Sequence, residues 1–229
     1  MKLDRILSII KGGIDMALTG FNPDVVNSSI NSVKAAYENL IQALGNDMQT
    51  RFVNGMADKW ACNQAQTFFN NSFKPAIDNL ITSSNAIFES VVASMNSAGQ
   101  AWAAQTDSSY SPQSFSAISK TIDTSVIREN IGGVRGIDLS SATTVANQLT
   151  SIADSAKSAL TSAQQAVQNC GFIGGNQASN LINSLGVIKT KIDNATQEIS
   201  NQSRTAINNT VESYSDTEGK VSQAFSSEG

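Results

Sequence analysis

The apolar residues of this chain fall in long stripes at helical spacing, and the stripes occur twice. Val26, Ile30, Val33, Tyr37, Leu40 and Leu44 are separated by alternating steps of four and three. A seam of that kind packs one helix against another in coiled-coil fashion. Met48, Phe52 and Met56 carry it on in steps of four, until the pattern stops at Lys59-Trp60-Ala61-Cys62. A second stripe then runs through Phe69, Phe73, Ala76, Leu80, Ser83, Ile87 and Val91, and fades toward Trp102. Proline, the residue that would cut such helices, stands only at positions 23, 75 and 112. Pro75 falls inside the second stripe, so the sequence predicts a kink near Ser72–Pro75.

The second half repeats this plan. Val145, Leu149, Ile152, Ala156, Ala159, Ala163, Ala166 and Cys170 make a third stripe, with Asp138 and Ser140 or Ser141 as capping candidates at its start. Gly171-Phe172-Ile173-Gly174-Gly175 breaks it. Leu181, Leu185, Ile188, Ile192, Ala195, Ile199 and Ala206 make the fourth. A shift of 112 residues takes Trp60 to Phe172, Cys62 to Gly174, Phe69 to Leu181, Phe73 to Leu185 and Trp102 to Tyr214. Two heptad patterns align by chance at aliphatic positions, but less readily at two aromatic pairs as well. The expected fold is all-α: a four-helix bundle of two helical hairpins, each long segment about 30–45 residues or ~45–65 Å.

The expected units are a short amphipathic helix at 1–22, a first hairpin at 23–106, a linker at 107–137, and a second hairpin with its tail at 138–229. In the first unit Leu3, Ile6, Leu7 and Ile10 share one helical face. Asp4, Arg5 and Lys11 cut its apolar run to about five residues, too short for a signal peptide. In the linker, Phe115, Ile118, Ile122 and Val126 predict a short helix. A linker this long has a geometric use. Hairpins packed antiparallel require the chain to travel back along the whole bundle, about 60 Å. The antiparallel arrangement is therefore expected. It would keep Cys62 and Cys170 far beyond the ~7 Å Cα limit for a disulfide and leave two free thiols.

Composition excludes much of enzymology. There is no histidine, so neither a histidine-based nucleophile pair nor a histidine metal site exists. Two cysteines make no zinc or iron–sulfur site. No pair of carboxylates is singled out by spacing, and the expectation is no enzyme, no cofactor and no metal. The net charge of −4 offers no basic footprint for nucleic acid.

The turn residues carry a family resemblance. Two helices meeting at Trp60-Ala61-Cys62, and again at Phe172-Ile173-Gly174, resemble the WXG100 (ESAT-6-like) family, hairpins with Trp-x-Gly at the turn. The first copy has Cys62 for glycine; the second has Phe172 for tryptophan and keeps Gly174. At the third position of the motif a left-handed residue ending the first helix is expected, which favours glycine. Tyr214 and Glu218, four apart, are similar to that family's C-terminal export signal Tyr-x-x-x-Asp/Glu. Trp102 and Thr106 hold the corresponding positions of the first copy, which therefore lacks the signal.

The resemblance implies a tandem WXG100-like chain: a type VII secretion substrate or secreted adaptor, exported without a cleaved signal peptide to the cell surface or medium. The implied partner is a type VII secretion ATPase or other secretion machinery. The chain would be a monomer standing for a heterodimer, with higher oligomers left open. The antiparallel arrangement places Trp60 and Cys62 beside Tyr214 and Glu218, as one composite export patch. A helical pore-forming or membrane-interacting effector is the alternative, and an elongated structural coiled coil a further one.

Overall fold

The structure is a computed structural model that describes residues 21–226, the side chains of 224–226 excepted. It is mostly helical, with four long helical segments and one two-stranded sheet. The first segment is α1 (Pro23–Ile41), which continues through a π-helical stretch (Gln42–Val53) into α2 (Asn54–Met56). Asn22 caps it: its side chain accepts the Asp24 backbone N–H. The π-helical winding coincides with Leu44, Met48 and Phe52, and Met56 follows directly in α2. Steps of four keep these residues on one face of a helix wound more loosely than 3.6 residues per turn. All four are buried.

The strand β1 (Trp60–Ala61) makes the turn, and α3 (Asn63–Phe68) starts the second segment. A second π-helical stretch (Phe69–Phe73) leads into α4 (Lys74–Gln105). Pro75, with no N–H for the carbonyl four residues back, stands at the head of α4, directly after this widened winding. The irregularity expected near Ser72–Pro75 is thus a π-helical stretch.

The second half contains β2 (Gly136–Ile137), α5 (Leu139–Ala146), α6 (Gln148–Asn169) and α7 (Gly175–Ser226), the last 52 residues long. Asp138 caps α5, its side chain accepting the Ser141 N–H at 3.0 Å. The Ser141 hydroxyl, and with it the Ser141 N–H, holds the Asp138 carboxyl below its ordinary range. Each long segment packs against two others: α1 on α6 and α4, α7 on α6 and α4. One continuous core results. Its α6 face is rich in alanine: Ala153, Ala156, Ala159, Ala163 and Ala166 are all buried. Small side chains there let the neighbouring backbones come close.

The short helix expected in the linker does not form. Residues 108–124 are irregular, and they lie across α1 and α4 as a strap. Side chains of the helices take up the strap's backbone groups. Asn96 accepts the Gln113 N–H and donates to the Gln113 carbonyl, both at 2.8 Å. The Tyr37 hydroxyl accepts the Ile118 N–H, while the Asn85 amide donates to the Ile118 carbonyl. Asp78 accepts the Ile122 N–H at 2.9 Å, and Lys74 donates to the Ile122 carbonyl. Gln49 serves Asp123 in the same double fashion. A helix would satisfy these groups internally; here the bed satisfies them instead. Phe115 packs on the Tyr37 ring at 4.9 Å, and Ile122 and Ile127 are buried.

The expected helix at 1–22 falls, for residues 1–20, outside the described residues.

Candidate functional site

The residues singled out in the sequence gather at two places, one at each hairpin turn. At the first, β1 pairs antiparallel with β2, Trp60 opposite Ile137 and Ala61 opposite Gly136. Asp138 N–H adds a bond to the Lys59 carbonyl at 2.7 Å. Trp60 is wholly buried. Its ring stacks on Phe68, with centroids 5.8 Å apart, and meets Phe69 edge-on at 6.2 Å. Its indole N–H donates to the Thr210 hydroxyl at 3.2 Å, and that hydroxyl donates to the Ala206 carbonyl. The Cys62 sulfur lies 3.8 Å from the same hydroxyl.

Thr210 is thus a residue that the sequence reading missed. The signal was available: a buried indole needs an acceptor, and Thr210 stands one turn before Tyr214 on the same helix face. Tyr214 itself is 37% exposed. Burial of its ring pushes its hydroxyl pKa up, and the nearby Cys62 adds to this. Glu218 is exposed one turn further along α7.

Two expectations are corrected here. Trp60 does not join a surface patch with Tyr214; it lies beneath the turn, and Tyr214 and Glu218 alone face outward. Nor is the third motif position left-handed. Cys62 is extended (φ −169°) and precedes α3, a conformation any residue adopts, which removes the need for glycine there. Gly174 likewise precedes α7 and is not in the left-handed region. The left-handed residue after α6 is Gly171, φ 70°.

At the second turn Phe172 is half-buried. Trp102, 40% exposed, meets it edge-on at 5.9 Å, and its indole N–H donates to the Phe172 carbonyl at 2.7 Å. Phe21 packs on Phe172 at 5.3 Å and on Tyr110 at 6.1 Å. The Tyr110 ring lies over Gly99, where an added Cβ would come within 2.6 Å of it. Burial raises the Tyr110 pKa, with Cys170 adding to it. Both cysteines are buried and free.

The arrangement is crossed. The end of α7 meets the first turn, and the end of α4 meets the second. Beside the first turn, between α3 and α7, is an open cleft of about 490 Å³ floored by Phe68. Asn63, Gln64, Asn201, Gln202 and Asn209 line it with amides, and no charged side chain does. Such a lining hydrogen-bonds neutral polar groups and offers nothing for acid–base chemistry. Among the described residues no group of side chains could hold a metal ion, and no helix is long and apolar enough to cross a membrane.

No family model matches this chain, and no curated protein or solved structure matches it.

Proposed function

We propose that the chain is a non-enzymatic type VII secretion substrate or secreted adaptor, the single-chain equivalent of a WXG100 pair. Its fold in this reading is a four-helix bundle of two hairpins packed antiparallel. The observation that carries it is the Trp60–Thr210 hydrogen bond, which joins positions 150 apart and brings the end of the last helix onto the first turn. Further contacts are in keeping with antiparallel packing. Arg51 donates to Gln148 and Ser151, near the start of α6, while Phe21 packs on Phe172, beyond its end. Lys191 reaches Ser83, and Gln177 reaches the Ser94 carbonyl, so α7 and α4 run in opposite directions.

In this reading the recognised feature is Tyr214 with Glu218, one helical turn apart and exposed. The ring gives a receptor a shape and the carboxylate a charge. Trp60 contributes indirectly: it fixes, through Thr210, the helix that displays the pair. The secretion ATPase is the proposed reader. The test is export from cells with and without that ATPase, using the double variant Tyr214→Ala/Glu218→Ala. Export is expected to be lost in both the ATPase-deficient cells and the double variant. An exposed double substitution should cost at most ~1 kcal/mol of stability. Export of the double variant at the wild-type level would overturn the reading.

A further inference from the structure

The 112-residue shift that relates the two hairpins also relates the strap to residues that precede the first hairpin. It takes Phe115, Ile118, Ile122 and Val126 to Leu3, Ile6, Ile10 and Ile14. All four strap residues thus fall on aliphatic side chains. The strap leads into the second hairpin after passing the first turn, where β2 pairs with β1. Phe21, just before α1, packs on Phe172 at the second turn.

The strap's bed has a counterpart in position. Asn70, Lys74, Asp78 and Asn85 of the first hairpin all bond the strap. The shift takes them to Ile182, Gly186, Thr190 and Gln197. These four residues line two neighbouring clefts along α7, of about 480 and 290 Å³. Gln164, Thr150 and Lys157 of α6 complete them. Val187, half exposed, lies in the larger one. Among the described residues, the bed on the second hairpin is therefore open where the bed on the first is covered.

One detail ties segment to bed. In the first hairpin the strap's Lys120 crosses Gly45, whose added Cβ would come within 3.2 Å of it. The equivalents are Ser8 and Lys157. Large over small has become small over large. Lys157 projects from the bed and pairs with Asp154 and Asp193, both at 2.9 Å. A small residue at position 8 is what that crossing needs.

We infer that residues 3–14 dock along the groove between α6 and α7 as a second strap, the counterpart of residues 115–126 on α1 and α4. Twenty residues precede Phe21. At ~3.3 Å each they reach ~66 Å, and α6 with 22 residues spans ~33 Å. Reach is ample. Ile10 would cover Gly186 and Val187, and Ile6 would lie by Gln197, while Thr190, Gln197 and Gln164 offer partners for the segment's backbone.

The strap's geometry selects the test. Ile122 meets Asp78, so Ile10 should meet Thr190. The full chain carrying Ile10→Cys and Thr190→Cys is oxidised, with Ile10→Cys and Glu89→Cys, on the covered hairpin, as the control. Thr190 and Glu89 are both exposed, so both variants should fold. An intrachain disulfide in the first and little in the control is expected. A second readout is the thiol labelling rate of Val187→Cys, which should rise several-fold when Ile6→Asp and Ile10→Asp are added. Equal crosslinking in both pairs, none in either, or an unchanged labelling rate would overturn the inference. A crosslink found only between chains would also overturn it, in favour of a second copy supplying the segment.

Discussion

Each turn sets an indole against a phenylalanine, and the two are finished differently. At the first, the aromatic ring lies inside: Trp60 is sealed by Phe68, Phe69 and the β1–β2 pair, and its N–H is spent on a side chain of α7. At the second, the indole belongs to the visiting helix: Trp102 remains 40% exposed and its N–H is spent on the Phe172 backbone. A buried tryptophan with a single side-chain acceptor makes one turn a structural lock. A half-exposed one bonded to backbone makes the other a lid that tolerates change. The difference teaches that two turns that each meet an indole need not carry equal energy.

The largest expected effect would come from removing each indole in turn. Trp60→Ala should cost ~3–5 kcal/mol, as for large-to-small changes in a closed core. Trp102→Ala should cost about 1 kcal/mol. Chemical denaturation of both variants measures this, and equal losses would break the comparison.

A smaller effect isolates the lock itself. Thr210→Val keeps the shape but strands the Trp60 N–H, at a cost of ~1–3 kcal/mol. Thr210→Ser should restore most of it. If valine is tolerated like serine, the hydrogen bond is not what closes the first turn.

The smallest effect concerns pH. Tyr110 at the second turn and Tyr214 at the first both have pKa values raised above 10.0, chiefly by burial. Tyr37 under the strap is raised for the same reason. A raised folded-state pKa means that the stabilising contribution is intact below pH 10 and is lost as pH rises through the folded value. Melting temperature should therefore fall above about pH 10. The fall should be shallower for Tyr37→Phe than for Tyr214→Phe, because Tyr37 is the more deeply buried of the two.

Much of the helical content was legible, because stripes such as Val26–Leu44 and Leu149–Cys170 are long and regular. The free thiols were legible from the separation of the two turns. The strap was not. Phe115, Ile118, Ile122 and Val126 have helical spacing, yet partners remote in sequence, Tyr37, Asp78, Asn85 and Asn96, capture the backbone between them. Tertiary hydrogen bonding overrode local periodicity. The composite patch was misjudged for a related reason. A tryptophan at a turn is expected to bury its ring against the neighbouring helices, but its complete withdrawal from the surface depends on the strand and the α7 hydroxyl that enclose it. The role of glycine was misjudged because Cys62 belongs to the start of α3, not to the end of the helix before it.

The bond between Trp60 and Thr210 also has a kinetic meaning. Most contacts of helical proteins are local and form early, whereas this one must await partners 150 positions apart. The first hairpin can form while the chain is still being made, but its tryptophan stays unsealed until Thr210 has emerged. The fluorescence of Trp60 would then be a clock for the final step of folding, and any process that must act on an unfinished chain has its window before that step.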